Sequence, residues 1–192
     1  MIAIIDYKSG NIASLSAALD RLGQQYIITA DPDSIRQADK VILPGVGRAK
    51  PAMKELQELD LVWVIRELKQ PLLGICLGMQ LLMQSSAEDE IECLGIIKGS
   101  TKKFTSLKVP QIGWNVVAEI NDDPLFSDIP NKSYFYFVHS YYVPVISKTI
   151  GSTLYGKHFS AVIKQDNYFG VQFHPEKSGS VGQQLLNNFL NL

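Results

Sequence analysis

Apolar residues fall into short runs separated by stretches in which they recur every three or four positions. The chain opens with the apolar run Ile2 to Ile5, and further apolar residues then follow at helical spacing from Ile12 until Gly23. A short β-branched run predicts a strand, and a repeat of three to four residues predicts an amphipathic helix. The chain therefore begins as a strand, a loop and a helix.

The same alternation continues to about residue 95. Further strands are predicted at Tyr26 to Thr29, Val41 to Leu43 and Leu72 to Ile75. Helices are predicted between them: a short one capped by Asp33, one or two before Pro71, and one carrying Leu81 and Leu82 after Ile75. Alternating strands and helices indicate an α/β fold with a mostly parallel, flavodoxin-like central sheet and helices on both faces.

The pattern changes in the second half of the chain. From about residue 95 to Gln172 short β-like pieces alternate with Gly, Pro and Asn, which predicts additional antiparallel strands appended to the sheet. A closing amphipathic helix runs from Val181 to Phe189. A length of 192 residues suits one hydrophobic core, so we expect a single domain over residues 1–192.

Composition and charge exclude several classes of partner. With 46% hydrophobic and 19% charged residues the chain is typical of a soluble globular protein. A formal net charge of -1 gives no positive field for a phosphate backbone, so nucleic acid is not expected as a partner. The start lacks a basic lead-in and reaches Asp6 early, and no apolar run approaches the roughly 20 residues of a membrane span. We expect a cytoplasmic protein with no membrane contact.

The two cysteines, Cys76 and Cys93, have no paired spacing. Neither a disulfide framework nor a zinc cluster is predicted, and Cys93 is expected to be a small buried apolar residue. The His174-x-Glu176 pair has no companion His or Cys nearby that would complete a metal site. We therefore expect no metal and no organic cofactor.

Cys76 lies in the sequence Gly-Ile-Cys-Leu-Gly at the junction of a predicted strand and helix. This spacing is typical of a nucleophile elbow, in which a sharp turn holds the nucleophile in a strained, exposed position. A cysteine at a helix start also faces unpaired N–H groups, which favour the reactive thiolate. The alternative is a buried cysteine in a glycine-containing turn.

A nucleophilic cysteine needs a base, and His174 is the best candidate. It ends a strand-like run and is followed by Pro175, which favours extended backbone. In an extended chain Glu176 would lie on the same side and could orient the imidazole. The alternative is a polar turn at a strand end. His158 is expected in a loop, and core packing or pocket lining are equally open for His139.

An acyl-transfer site also needs N–H donors for the oxyanion. The elbow places the amide of Leu77 for this role. The loop Pro44-Gly45-Val46-Gly47 follows a neighbouring strand and offers a second donor at Val46 or Gly47, since glycine permits backbone reorientation. The alternative is a plain turn.

These motifs together resemble the class I, triad-type glutamine amidotransferases along the whole chain. The resemblance rests on GICLGMQ around Cys76, GVQFHPEKSG around His174 and the PGVG loop. Three further features narrow the resemblance to the glutaminase subunits of imidazole glycerol phosphate synthases, which serve histidine biosynthesis. They are PQIGWN from Pro110, YFVHSYY from Tyr136 and the methionine after the second elbow glycine.

The resemblance implies a role for each matching residue. Cys76 would be the nucleophile, His174 the general base and acid, and Glu176 the residue that orients His174. Contacts with glutamine would come from Gly45, Gln80, Glu88, Ser140 and Tyr141. Residues facing a partner would be Asn11, Trp114 and Lys177.

The resemblance also implies a partner. A separate (βα)8-barrel cyclase subunit would form a heterodimer with this chain and receive ammonia through a protected channel. The PGVG loop would reorient when that partner is loaded, so the isolated chain would have low activity. Three alternatives remain: a glutaminase subunit serving anthranilate, aminodeoxychorismate or carbamoyl phosphate synthesis, an inactive binding subunit, and a cysteine peptidase or redox sensor.

Overall fold

The computed structural model describes residues 1–8, 11–105, 107–118, 120 and 122–192. The strands are β1 (Ile2–Ile5), β2 (Tyr26–Thr29), β3 (Lys40–Leu43), β4 (Leu72–Ile75), β5 (Met83–Ser86), β6 (Ile91–Glu92), β7 (Ile97–Lys103), β8 (Gln111–Val117), β9 (Ser133–His139), β10 (Tyr141–Tyr142), β11 (Thr149–Tyr155), β12 (Lys157–Gln165) and β13 (Tyr168–Val171). The helices are α1 (Ile12–Arg21), α2 (Pro32–Gln37), α3 (Ala49–Glu58), α4 (Leu61–Glu67), α5 (Leu77–Leu81) and α6 (Gly179–Leu190).

The central sheet has the strand order β11-β12-β13-β4-β3-β1-β2. The five strands from β13 to β2 run parallel, while β11 and β12 form an antiparallel edge. The predicted α/β fold with a mostly parallel sheet and extra antiparallel strands is confirmed.

Both faces of the sheet are buried, as expected for short, fully apolar parallel strands. Ala3 and Ile5 of β1 point into one core with side chains of α2, α3 and α4. Ile2 and Ile4 point into a second core with side chains of α1 and α6. Because successive strand residues face opposite sides, one apolar run serves two cores.

The register of the parallel strands positions the functional loops. Ile75 at the end of β4 lies opposite Val171 at the end of β13, and Leu43 at the end of β3 lies opposite Gly74. The chain segments that follow these three strands therefore leave the sheet at the same edge. They carry Cys76, His174 and the Pro44–Gly47 loop.

The structure differs from the sequence prediction in several places, and His158, for which the sequence predicts a loop, lies in β12. Of the strands after residue 95, β11, β12 and β13 join the central sheet, whereas β7 and β10 belong to a separate sheet of order β10-β7-β5-β6 and β8 and β9 form a hairpin. Asp31 rather than Asp33 caps α2, since its carboxylate accepts the N–H of Ser34 at 2.8 Å. Within the described residues, no helix has the length and apolar character that spanning a membrane requires.

Candidate active site

The chain turns sharply at Cys76, between β4 and α5. Its backbone has φ 54° and ψ -106°, which only tight packing can hold in a non-glycine residue. The amide of Cys76 donates to the Val171 carbonyl at 2.8 Å, and the residue is 6% exposed. A β-carbon on Gly78 would lie 1.9 Å from the carbonyl oxygen of Leu43, so the turn can pack against β3 only with glycine there.

His174 and Glu176 contact each other directly. Nδ1 of the ring donates to Oε1 of the carboxylate at 2.8 Å, and both side chains are buried. The backbone that brings the two side chains together differs from the prediction, because Glu176 lies in a 3-10 turn over Pro175–Lys177 rather than in extended chain. The amide of His174 donates to the Tyr136 carbonyl, and Ser178 Oγ donates to the His174 carbonyl, which fixes the turn.

The charge state of His174 is set by its two neighbours. Burial disfavours the imidazolium, but hydrogen bonds and charges from Cys76 and Glu176 outweigh burial and raise the pKa of His174 to about 10. The ring is therefore a cation at neutral pH. It lies between the Glu176 carboxylate and the cysteine sulfur, where it can exchange a proton with that sulfur.

Cys76 and His174 open into a cavity of about 310 Å³. Its remaining lining is formed by Val46, Gly47, Leu77, Gln80, Glu88, Pro110, Val138, His139, Ser140, Tyr141 and Lys177. Among the predicted site residues, Gly45, Glu176 and Asn11 lie outside this cavity and border a small neighbouring one. Trp114 borders neither and is 56% exposed on β8, where it packs edge-on against Tyr136.

The loop after β3 lies directly against the elbow. The amide of Leu77 donates to the Gly45 carbonyl at 3.4 Å, so this predicted oxyanion donor has a weak protein partner in the structure. A β-carbon on Gly45 would lie 2.7 Å from the Tyr7 hydroxyl and 2.8 Å from Cβ of Leu77. Gly47 has φ 93°, which favours glycine, while Val46 is 41% exposed at the cavity.

Glu88 lies at the cavity wall and also holds α3. Its Oε2 accepts the amide of Ala49 at 2.8 Å, in the first turn of that helix. The adjacent Asp89 forms an ion pair with Arg48. These contacts fix the carboxylate of Glu88 in place at the wall of the cavity.

A buried polar network extends behind the cavity. Nε2 of Gln80 donates to the Tyr141 carbonyl at 2.8 Å and to Oε1 of Gln172 at 3.0 Å. Nε2 of Gln172 lies 3.7 Å from Sγ of Cys76. Gln172 was not predicted from the sequence, although its position as a polar residue between Val171 and Phe173 in a buried run could have indicated it.

His139 is both a core residue and part of the cavity wall, so the two options left open by the sequence both hold. Its Nδ1 lies 2.7 Å from the Tyr141 carbonyl, which can only accept. Burial is the main cause that lowers the pKa of His139 to about 4, with the charge of His174 adding to it. The ring is therefore neutral, with its proton on Nδ1.

No cluster of three or more His, Cys, Asp or Glu side chains that could hold a metal ion occurs in the described ranges. At the cavity, the groups that can take part in chemistry include the Cys76 thiol, the His174 imidazole, the Glu88 carboxylate and the backbone amides.

Comparison with known proteins identifies relatives along the whole chain. The family model described as glutamine amidotransferase class-I matches residues 3–192. The chain is 48% identical to the imidazole glycerol phosphate synthase subunit HisH of Idiomarina loihiensis, covering 100% of this chain and 97% of the relative. It is 46% identical to the subunit of the same name from Bacteroides fragilis, covering 100% and 99%.

Solved structures support the fold. A crystal structure described as a glutamine amidotransferase superposes with a TM-score of 0.78 at 16% identity, covering 100% of this chain and 98% of that one. PurLQS from Thermotoga maritima gives a TM-score of 0.74 at 20% identity, covering 99% and 97%. These structural matches agree on the fold, and the family model together with the full-length relatives shows that the chain belongs to the class-I glutamine amidotransferase family.

Proposed function

We propose that the chain is the glutaminase subunit of an imidazole glycerol phosphate synthase, acting as one domain over residues 1–192. The observation that carries the proposal is the elbow cysteine beside a buried imidazole that a carboxylate orients. The 45–48% identity with HisH subunits supports the choice of this synthase over those that use chorismate or make carbamoyl phosphate.

The reaction follows from the three side chains. The Cys76 thiolate attacks the carboxamide carbon of glutamine, and the carbonyl oxygen becomes an oxyanion. The His174 imidazolium protonates the amide nitrogen, which leaves as ammonia and gives a γ-glutamyl thioester. His174 then takes a proton from water, which attacks the thioester, and glutamate leaves while the thiolate is restored. Glu176 keeps the ring oriented and stabilises its charge.

The oxyanion requires a change in the loop after β3. In the structure the Leu77 amide donates a hydrogen bond to the Gly45 carbonyl, at 3.4 Å. Reorientation of the peptide between Gly45 and Val46 would remove that carbonyl and turn the amide of Val46, with Gly47 next to it, toward the cavity. Low activity without a partner is consistent with this resting arrangement.

Recognition of glutamine is assigned to the polar groups of the cavity wall. Glu88 supplies a fixed carboxylate for the α-ammonium group. Gln80, Ser140, Tyr141 and the backbone near Gly45 would hold the remaining polar atoms. The cavity volume of about 310 Å³ leaves room for one amino acid of this size.

A partner subunit is proposed to dock over the cavity mouth. Exposed apolar side chains lie on the hairpin β8–β9, at Ile112, Trp114 and Tyr134. Lys177 lines the cavity and Asn11 borders the small cavity behind Gly45. We assign this surface to a (βα)8-barrel cyclase in a heterodimer, which would receive the ammonia through a protected channel.

Glutamate release tests the proposal when it is measured with and without the candidate cyclase. We expect strong stimulation by the cyclase for the parent chain and no release for Cys76→Ala. Stimulation by a chorismate-using enzyme instead would overturn the assignment to this synthase and keep the glutaminase chemistry. Preference of Cys76 for peptides or peroxide over an electrophilic glutamine analogue would overturn both.

A further inference from the structure

Gln172 is a fully buried polar residue that the proposed reaction does not use. It lies just beyond β13 and two positions before His174. A buried amide normally has hydrogen-bond partners for both its oxygen and its nitrogen. Here the oxygen faces Gln80 and the nitrogen faces the sulfur of Cys76.

A backbone carbonyl decides which end of the Gln172 amide faces the sulfur. The carbonyl of Tyr141 can only accept, so the group 2.8 Å away on Gln80 must be its NH₂. The same nitrogen lies 3.0 Å from the amide of Gln172, which must therefore present its oxygen there. That leaves the NH₂ group of Gln172 facing Sγ of Cys76 at 3.7 Å.

The Tyr141 carbonyl, which determines the orientation of both glutamine amides, is itself held by His139. Nδ1 of that ring is 2.7 Å from the Tyr141 oxygen, and the ring packs among Phe104, Phe137 and Phe159. Reversing the amide of Gln172 would bring its NH₂ group against that of Gln80, and reversing Gln80 as well would bring its oxygen against the Tyr141 carbonyl. The orientation of the Gln172 amide at the sulfur is therefore fixed by a series of contacts through Gln80, the Tyr141 carbonyl and His139.

The surroundings of the sulfur differ for its two protonation states. A protonated thiol can donate to the Val138 carbonyl, which lies 3.6 Å from Sγ. A thiolate cannot donate to that carbonyl, but it can accept from the NH₂ group of Gln172 and from His174. Hydrogen bonds to a charged group are stronger than those to a neutral one, so Gln172 favours the thiolate.

We propose that Gln172 is a thiolate-stabilising residue, whose amide is locked by Gln80 and the Tyr141 carbonyl so that its N–H groups face Cys76. The inference rests on the proposed function, because it deepens the role of the same sulfur. It adds a second donor, besides His174, that stabilises the charged form of the nucleophile before glutamine arrives and when the thioester releases the sulfur.

The test measures alkylation of Cys76 by iodoacetamide near neutral pH, with the ultraviolet absorbance of the thiolate as a second readout. Cys93 does not compete, since burial raises the pKa of its thiol to about 12. We expect alkylation of Gln172→Met to be about tenfold slower than that of the parent, because the donor is lost. Gln172→Glu should be slower still, because a carboxylate repels the thiolate.

Gln165→Met is the matched control, since Gln165 also uses its NH₂ group in one contact, to the Ile96 carbonyl at 2.8 Å, outside the site. Its alkylation rate should equal that of the parent. A folded Gln172→Met with a rate within about twofold of the parent would overturn the inference. So would an equal loss in Gln165→Met, because it would show a general effect of stability.

A measurement without any change at position 172 covers the case in which these variants fail to fold. The nitrogen-15 resonance of the Gln172 side-chain amide should shift between the parent and Cys76→Ala, and an unchanged resonance would overturn the inference. Alkylation needs neither glutamine nor a partner. A chain that loses alkylation in Gln172→Met and never releases glutamate would therefore overturn the proposed function alone.

Discussion

The imidazole of His174, at the wall of the candidate catalytic cavity, and the carboxylate of Glu176 behind it lie 2.8 Å apart from Nδ1 to Oε1. Both side chains are almost completely buried, at 5% and 3% exposure. The second oxygen, Oε2, has no hydrogen-bond partner among the described residues. The Glu176 carboxylate therefore makes its hydrogen bond to the His174 ring, and water screens the electrostatic interaction between the two groups only weakly.

Replacing Glu176 with glutamine should reduce glutamine hydrolysis strongly. The amide keeps the shape of the side chain but removes the charge that stabilises the imidazolium and fixes the proton on Nδ1. We expect kcat to fall by about 10² to 10⁴, the contribution of a positioned general base. Glutamate release in the presence of the cyclase measures it, with a similar KM as the sign that glutamine still binds. A kcat close to that of the parent would contradict the role given to Glu176.

The ring of His174 should remain protonated well above the usual range. Its pKa is raised to about 10 because the effects of Cys76 and Glu176 outweigh burial. In Cys76→Ala one of these two partners is gone, so the pKa should fall toward the ordinary value. NMR titration of the ring protons tests this, and a midpoint near about 6.5 in the parent would contradict it.

The raised pKa of His174 also makes the free energy of unfolding depend on pH in a defined direction. A group whose pKa is higher in the folded state stabilises the fold fully below its unfolded pKa and loses that contribution as the pH rises through its folded pKa. The contribution of His174 should therefore be present below about 6.5 and disappear as the pH rises to about 10. Urea unfolding of the parent and His174→Gln across this range measures it, and a difference that grows with pH would contradict the assignment.

His139 should affect stability with the opposite pH dependence. Its pKa is lowered to about 4 by burial, so the folded state resists protonation that the unfolded chain accepts. Between the unfolded value of about 6.5 and this lower value, stability should decline as the pH falls, by up to about 3 kcal/mol. His139→Asn retains an N–H donor and cannot titrate, so urea unfolding should show a shallower decline. Parallel curves for the two proteins would contradict the prediction.

The sequence was sufficient to predict the central sheet and the side chains that meet at the candidate site. Parallel strands buried on both faces are short apolar runs, and Ile2–Ile5 and Leu72–Ile75 show this without reference to distant parts of the chain. The elbow around Cys76 is equally local, because its two glycines lie within two residues of the nucleophile.

Features that depend on distant contacts could not be predicted in the same way. The hairpin β8–β9 does not join the central sheet, although buried and more exposed residues alternate along it as in an edge strand. Gln172 acquires its role from Gln80, 92 positions away, and from the Tyr141 carbonyl. Asp33 resembled a cap, but Asp31 has the extended backbone that a capping residue needs.

The two glycines that border the nucleophile region should differ in how they tolerate alanine. A β-carbon at Gly78 would lie 1.9 Å from the Leu43 carbonyl, so backbone must move, and we expect a loss of about 3 kcal/mol or more, or no folding. A β-carbon at Gly47 meets nothing within 4 Å, and only its φ of 93° opposes alanine, at about 1 kcal/mol. Urea unfolding of the two variants tests the order. Equal losses would contradict the close packing assigned to the elbow.

Trp114 should contribute to partner binding and not to the chemistry of the isolated chain. It is 56% exposed on β8, borders neither cavity at the nucleophile and packs edge-on against Tyr136. Exposed tryptophans at the centre of an interface often dominate its affinity, so Trp114→Ala should weaken cyclase binding by about 2 kcal/mol, roughly 30-fold. Calorimetric titration measures this, and the alkylation rate of Cys76 should stay at the parent value. Trp63→Ala is the matched control, because Trp63 is 66% exposed on α4 and contacts Arg66. If Trp63→Ala weakened binding and Trp114→Ala did not, the cyclase would have to dock on a different face.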